Sequence, residues 1–122
     1  MSIYREQLMD HYKNPRNKGN LKDSSIVIED TNPFCGDEIK LQLKIKDGVV
    51  EDVAFEGSSC AVSTASASLT TEEIKGKKVE EIKKINKDNI LDMLGVELTT
   101  SRVKCATLVL EALQKAIENY NE

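Results

Sequence analysis

Between Glu38 and Lys46 the chain alternates without a fault: Ile39, Leu41, Leu43 and Ile45 take every second position, with Lys40, Gln42, Lys44 and Lys46 between them. A period of two puts successive side chains on opposite faces, so this segment predicts a strand with an apolar face on a core and a basic face in water. Asp47-Gly48 follows at once, a pair that tolerates positive φ and predicts a two-residue hairpin turn. The return strand is expected over Val49 to Glu56, with Val49, Val53 and Phe55 on one face. Such a hairpin needs a third strand or a helix to cover its apolar face.

The flanking segments supply both. Ser25 to Glu29 is short and β-branched and reads as another strand. Residues 3–13 predict an amphipathic helix with Ile3, Leu8 and Tyr12 turned inward, ended by Asn14-Pro15 because the residue before proline disfavours helical geometry. Arg16 to Asp23 reads as a loop. Beyond Gly57 the pattern turns helical. Ala61 to Ile74 is rich in small residues and ends near Gly76, and Val79 to Ile85 and Asp88 to Leu94 are short, the second closed by Gly95. Ser101 to Tyr120 repeats Val103, Leu110, Leu113 and Ile117 at helical spacing. The expected fold class is α+β: a small three-stranded antiparallel sheet packed against several helices, with 1–122 as a single domain.

Charge and composition exclude several classes of function. Net charge is −4 with acids and bases interspersed, and aromatic residues make up 4% of the 122. Nucleic-acid binding therefore has no electrostatic footprint. Lys75, Lys77 and Lys78 come closest to a basic cluster, but Glu72, Glu73, Glu80 and Glu81 flank them. No run approaches the ~20 apolar residues of a membrane span, and the N-terminus lacks the apolar core of a secretory signal. The expected location is cytoplasmic, with neither nucleic acid nor membrane as a partner.

Three cysteines, an odd number, argue against a disulfide framework in such a chain and favour metal binding or thiol chemistry. Cys35 precedes the long strand, and Cys35 and Asp37, two apart in extended chain, face the same way. Cys60 sits at a strand-to-helix junction, where unpaired N–H groups and the helix dipole favour thiolate. Cys105 lies in the first turns of the last helix, which Thr99, Thr100 or Ser101 can cap. Free cysteine also packs as a small hydrophobe, and the gaps between the three match no local zinc motif. The residues alone leave both readings open. His11, the lone histidine, reads as a surface or packing residue, and Ser63, Ser66 and Ser68 as small residues that let a helix pack closely.

Four segments say more. Asp10-His11-Tyr12-Lys13-Asn14-Pro15-Arg16-Asn17, Asn32-Pro33-Phe34-Cys35-Gly36-Asp37, Gly57-Ser58-Ser59-Cys60-Ala61-Val62-Ser63-Thr64-Ala65-Ser66-Ala67-Ser68 and Arg102-Val103-Lys104-Cys105-Ala106-Thr107-Leu108 resemble, in order, the N-terminal signature and the three ligand loops of the IscU/NifU-type iron–sulfur cluster assembly scaffolds. The resemblance implies a SufE/NifU-like fold and a ligand set of Cys35, Asp37, Cys60 and Cys105 for a transient [2Fe–2S] cluster. It further implies a cysteine desulfurase as sulfur donor, one of Cys35, Cys60 or Cys105 as sulfur acceptor, and apo iron–sulfur proteins as recipients.

The sequence departs from the family in four places. Lys104 stands where the scaffold branch usually carries histidine, as in the SufU-type branch, and its charge would favour a Cys105 thiolate. The stretch between Cys60 and Cys105 is too short for the insertion usual in SufU-type proteins. Leu98 to Lys104 replaces the Leu-Pro-Pro-Val-Lys stretch read by a specialised Hsp70, so no dedicated Hsp70 partner is expected. Ser59 replaces a glycine that commonly precedes the second cysteine. The alternative implied by Lys104 is a zinc-dependent sulfurtransferase of SufU type with Zn²⁺ in the same site.

Overall fold

A computed structural model of the chain describes residues 3–32, 37–57, 60–95, 98 and 100–120. The elements run α1 (Ile3–Lys13), β1 (Ile26–Asn32), β2 (Asp37–Lys46), β3 (Val49–Glu56), α2 (Ala61–Ile74), α3 (Val79–Ile82), α4 (Lys87–Leu94) and α5 (Thr100–Tyr120). The sheet is an antiparallel meander in the order β1-β2-β3, as the alternation predicts. Ile39, Leu41, Leu43 and Ile45 all face the core, where they meet Leu108, Val109, Ala112, Leu113, Ala116 and Ile117 of α5. A second, smaller cluster joins Leu8 of α1, Ala65 of α2, Leu94 of α4 and Ala106 of α5. The sheet lies against α5, and α2 is held between α1 and α5. No helix among the described residues is long and apolar enough to cross a membrane.

The turn is as expected: Asp47 and Gly48 both take positive φ, 54° and 77°. The face of β3 is not. Val50 is fully buried while Val49 is only half-buried. Ile45 pairs with Val50 but Lys44 pairs with Asp52, so Glu51 is an extra residue in β3. A bulge of this kind shifts the inward–outward phase by one, which puts Val50 in the place expected of Val49 and leaves Val53 and Phe55 where they were expected.

Other boundaries move for local reasons. β1 begins at Ile26 rather than Ser25 and runs on to Asn32, beyond the expected end at Glu29, because Asp30, Thr31 and Asn32 pair with Ile39, Glu38 and Asp37. Asp30 is also met by Lys115 of α5 at 3.1 Å. The segment read as a loop after Pro15 runs partly along the edge of β3: Phe55 N–H donates to Asn17 O and Gly19 N–H to Phe55 O, both at 2.9 Å. It also covers Gln42, whose side chain accepts from Leu21 N–H and donates to Asn20 Oδ1, so the outer face of β2 is not wholly in water. α3 stops at Ile82, short of the expected Ile85. α4 begins at Lys87 under a reciprocal Asn86–Asn89 capping box.

In α1 Leu8 is buried as expected, whereas Tyr12 is 42% exposed. The inward place one turn on from Leu8 belongs to His11, whose Nδ1 lies 2.7 Å from Ser68 Oγ. The side chain of Ile3 lies outside the described residues.

Candidate metal centre

Asp37 is the first residue of β2, Cys60 caps the N-terminus of α2, and Cys105 lies in the second turn of α5. The meander brings the start of β2 beside the end of β3, which leads into α2, and α5 crosses the same end of the sheet. Three residues far apart in sequence therefore meet. Their ligand atoms all lie within 4.8 Å of one another. Asp37 and Cys105 are buried, at 3% and 1% exposure, and Cys60 is half-buried.

The local geometry is set by the start of α2. Cys60 has an extended backbone and its Sγ accepts from Ser63 N–H at 3.5 Å, a sulfur version of the side-chain cap that usually comes from oxygen. Its own N–H donates to Asp37 Oδ1 at 3.0 Å, and its Sγ lies 3.5 Å from Asp37 Oδ2. Ser63 Oγ–H donates to Asp37 Oδ2 at 2.5 Å, and Ser63 Oγ also lies 3.0 Å from the Cys105 carbonyl oxygen. The carboxylate is thus oriented by the first turn of α2, where free N–H groups and the helix dipole favour negative charge.

Gly57 makes this approach possible. Its φ is +147°, and a Cβ there would overlap the carbonyl of Glu38, the residue after Asp37. Any larger residue would push the end of β3 away from the start of β2, and Cys60 away from Asp37.

The donor set fits a soft or borderline cation. Tetrahedral zinc holds sulfur at about 2.3 Å and carboxylate oxygen at about 2.0–2.2 Å, so two such ligands stand roughly 3.6 Å apart. The Cys60 Sγ–Asp37 Oδ2 separation of 3.5 Å meets that spacing. Thiolates also suit iron–sulfur clusters, while a carboxylate is the harder and weaker-held donor there. Bringing a carboxylate and two thiols together in a largely buried place concentrates potential negative charge, and a bound cation would neutralise it.

Of the residues singled out in the sequence, Asp37, Cys60 and Cys105 come together and Cys35 lies outside the described residues. The expected caps at Thr99, Thr100 and Ser101 fall there too, as regards their side chains. Lys104 is exposed, since consecutive helical residues point about 100° apart. Sequence reasoning missed Ser63. It also took too little from the other small residues of α2: Ser66 Oγ–H donates to Ala106 O at 2.5 Å, Ser68 Oγ accepts from Arg16 N–H at 2.8 Å, and Thr71 Oγ1 accepts from Asn17 Nδ2 at 3.0 Å. The available signal was the run of serines and threonines in α2, spread around the helix rather than kept to one face, so that Ser63, Thr64, Ser66, Ser68, Thr70 and Thr71 are all buried.

The chain is thus a three-stranded meander with helices packed on it and a carboxylate–dithiol group able to hold a metal ion at one end of the sheet. The chain belongs to the family described as the NifU-like N terminal domain, whose model matches residues 3–122. It is 44% identical to the zinc-dependent sulfurtransferase SufU of Bacillus subtilis, with 95% of this chain and 90% of that protein covered. It is 41% identical to the iron–sulfur cluster assembly scaffold protein IscU of Haemophilus influenzae, with 96% and 94% covered. The fold matches the crystal structure of a nitrogen-fixing NifU-like protein (N-terminal) from Brucella abortus, with a TM-score of 0.82, 21% identity, and 98% and 94% of the two chains covered. The alignment with the Bacillus protein runs over 133 positions, more than the 122 residues present here, so that relative carries residues with no counterpart in this chain.

Proposed function

We propose that residues 1–122 form one cytoplasmic scaffold domain that receives sulfur from a cysteine desulfurase, carries a [2Fe–2S] cluster as cargo on Cys35, Asp37, Cys60 and Cys105, and passes it to apo iron–sulfur proteins. The observation that carries this reading is the convergence of Asp37, Cys60 and Cys105 within 4.8 Å at one end of the sheet. A carrier must let go of what it holds, and a site with one carboxylate among thiolates has one weaker corner. On this reading the protein is a carrier rather than an enzyme.

Each residue has a task. Cys60 presents its sulfur at the start of α2, half-exposed, where a donor or an acceptor can reach it. Cys105 presents its sulfur from a buried turn and so shields the inner side of the site from water. Asp37 supplies the exchangeable oxygen, and Cys35, two residues before it, completes the set. Lys104, exposed next to Cys105, adds positive charge beside an anionic site.

A second reading is favoured by Lys104 and by the 44% identity to the Bacillus zinc-dependent sulfurtransferase: Zn²⁺ resides in the same site and a cysteine takes sulfur from the desulfurase. The zinc would supply charge neutralisation and would hold the thiolates in place. The residues that the Bacillus protein has and this chain lacks favour the scaffold instead.

One experiment divides the two. The protein is purified without oxygen, its iron, zinc and sulfide are measured, and desulfurase, cysteine, Fe²⁺ and a dithiol reductant that turns persulfide sulfur into sulfide are added. Iron and sulfide taken up in equal amounts, with sulfur-to-iron charge-transfer absorption, support the scaffold. Retained zinc, no cluster and faster desulfurase turnover support the sulfurtransferase. Neither metal uptake nor any effect on the desulfurase would contradict both.

A further inference from the structure

Ser63 Oγ reaches all three parts of the site: it lies 2.5 Å from Asp37 Oδ2, 3.0 Å from the Cys105 carbonyl and 3.7 Å from Cys60 Sγ. The residue is buried, so water does not replace what it provides. A hydroxyl has a single proton to give. The shorter distance directs that proton to Asp37 Oδ2, and the Cys105 carbonyl is its other acceptor. Cys60 N–H holds the opposite carboxylate oxygen at 3.0 Å.

We propose that Ser63 is the positioning residue for Asp37: its hydroxyl turns the carboxylate toward the two sulfurs, and transfer of its hydrogen bond to the Cys105 carbonyl keeps it satisfied when the carboxylate turns away. The inference rests on the reading of Asp37 as a ligand. It assigns control of that ligand to a residue on a different element, in the first turn of α2. The Cys60 N–H holds Oδ1 and the Ser63 hydroxyl holds Oδ2, so each carboxylate oxygen has a donor of its own from the start of α2. Partners that orient a metal ligand in this way are worth about 10- to 100-fold in metal affinity.

The test uses the full chain, reduced and free of oxygen, with Zn²⁺ titrated against a chromophoric chelator and Co²⁺ as a spectroscopic probe. Ser63→Ala is expected to weaken Zn²⁺ binding about 10- to 100-fold and to move the Co²⁺ ligand-field bands in the same direction as Asp37→Ala. Ser63→Thr, which keeps the hydroxyl, should restore most of the affinity. In the Asp37→Ala background, Ser63→Ala should add no further loss. Wild-type affinity in Ser63→Ala, equal losses in Ala and Thr variants, or the same loss with and without Asp37 would each overturn the proposal while leaving Asp37 as a ligand. Wild-type affinity and spectrum in Asp37→Ala alone would overturn the ligand reading and this inference with it.

Discussion

Asp37, Gly57 and His11 show how much depends on single residues here. The proposed function makes Asp37 the weaker corner of the site and gives it control of release. Asp37→Ala should change cluster occupancy or the rate of transfer to an acceptor by about tenfold or more, the scale set by groups that merely orient ligands; unchanged occupancy with an unchanged rate would remove Asp37 from the account. Gly57 is constrained twice, by its positive φ and by the Glu38 carbonyl. Gly57→Ala is expected to cost about 1–3 kcal/mol, read as a lower urea midpoint, with weaker Zn²⁺ binding because the displaced backbone is next to Asp37.

His11 titrates below its ordinary value of 6.5, first because it is buried and then because Arg16 is close. The unfolded chain therefore binds the proton more readily than the folded one around and below pH 6.5. The contribution to stability is fully present above that pH and is lost as pH falls through 6.5 towards the folded value. The thermal midpoint of the wild type should drop more between pH 7.5 and 5.5 than that of His11→Gln; equal drops would show that His11 is not the group responsible.

At the level of elements, strands and helices were legible where the hydrophobic period was clean, and less so where a single residue broke it. β2 and α5 were placed to within one residue because their apolar positions recur without interruption. β3 had the right bounds and one wrong inward residue, since one extra residue at Glu51 reverses the phase and nothing in Val49-Val50-Glu51-Asp52 marks where it sits. The far half of β1 was missed because Asp30, Thr31 and Asn32 carry little strand signal of their own and are held by pairing with β2 and by Lys115. Tyr12 and His11 exchanged roles because Ser68 gives the smaller, polar ring a hydrogen bond inside.

Caps are legible at this scale too. Asn86 satisfies the start of α4 through the box with Asn89, so Asn86→Ala should cost about 1 kcal/mol in chemical denaturation. A midpoint equal to wild type would mean that α4 is held by Ile90 and Leu94 alone.

Across the whole molecule, the sheet and the helices packed on it bring Asp37, Cys60 and Cys105 together. Spacing could place Cys60 and Cys105 at helix starts, yet it could not say that both reach Asp37, because that meeting depends on where α5 crosses the sheet. The resemblance in four segments supplied the ligand set, and three of its members converge. Ser63 stayed hidden for a physical reason: in a helix of small residues, a serine that packs and a serine that orients a carboxylate look alike until the partner is placed.

The central claim is that this end of the sheet carries a cluster in order to give it up. Its most direct test is to load the protein with iron and with persulfide sulfur from a cysteine desulfurase, reduced to sulfide by an added dithiol, remove unbound reagents, and mix it with an apo-ferredoxin in the absence of oxygen. The account predicts that cluster absorption leaves this protein and appears on the ferredoxin, and that Cys60→Ser and Cys105→Ser abolish it. A protein that binds no iron or sulfide, or that keeps its cluster while the ferredoxin remains apo, would contradict it.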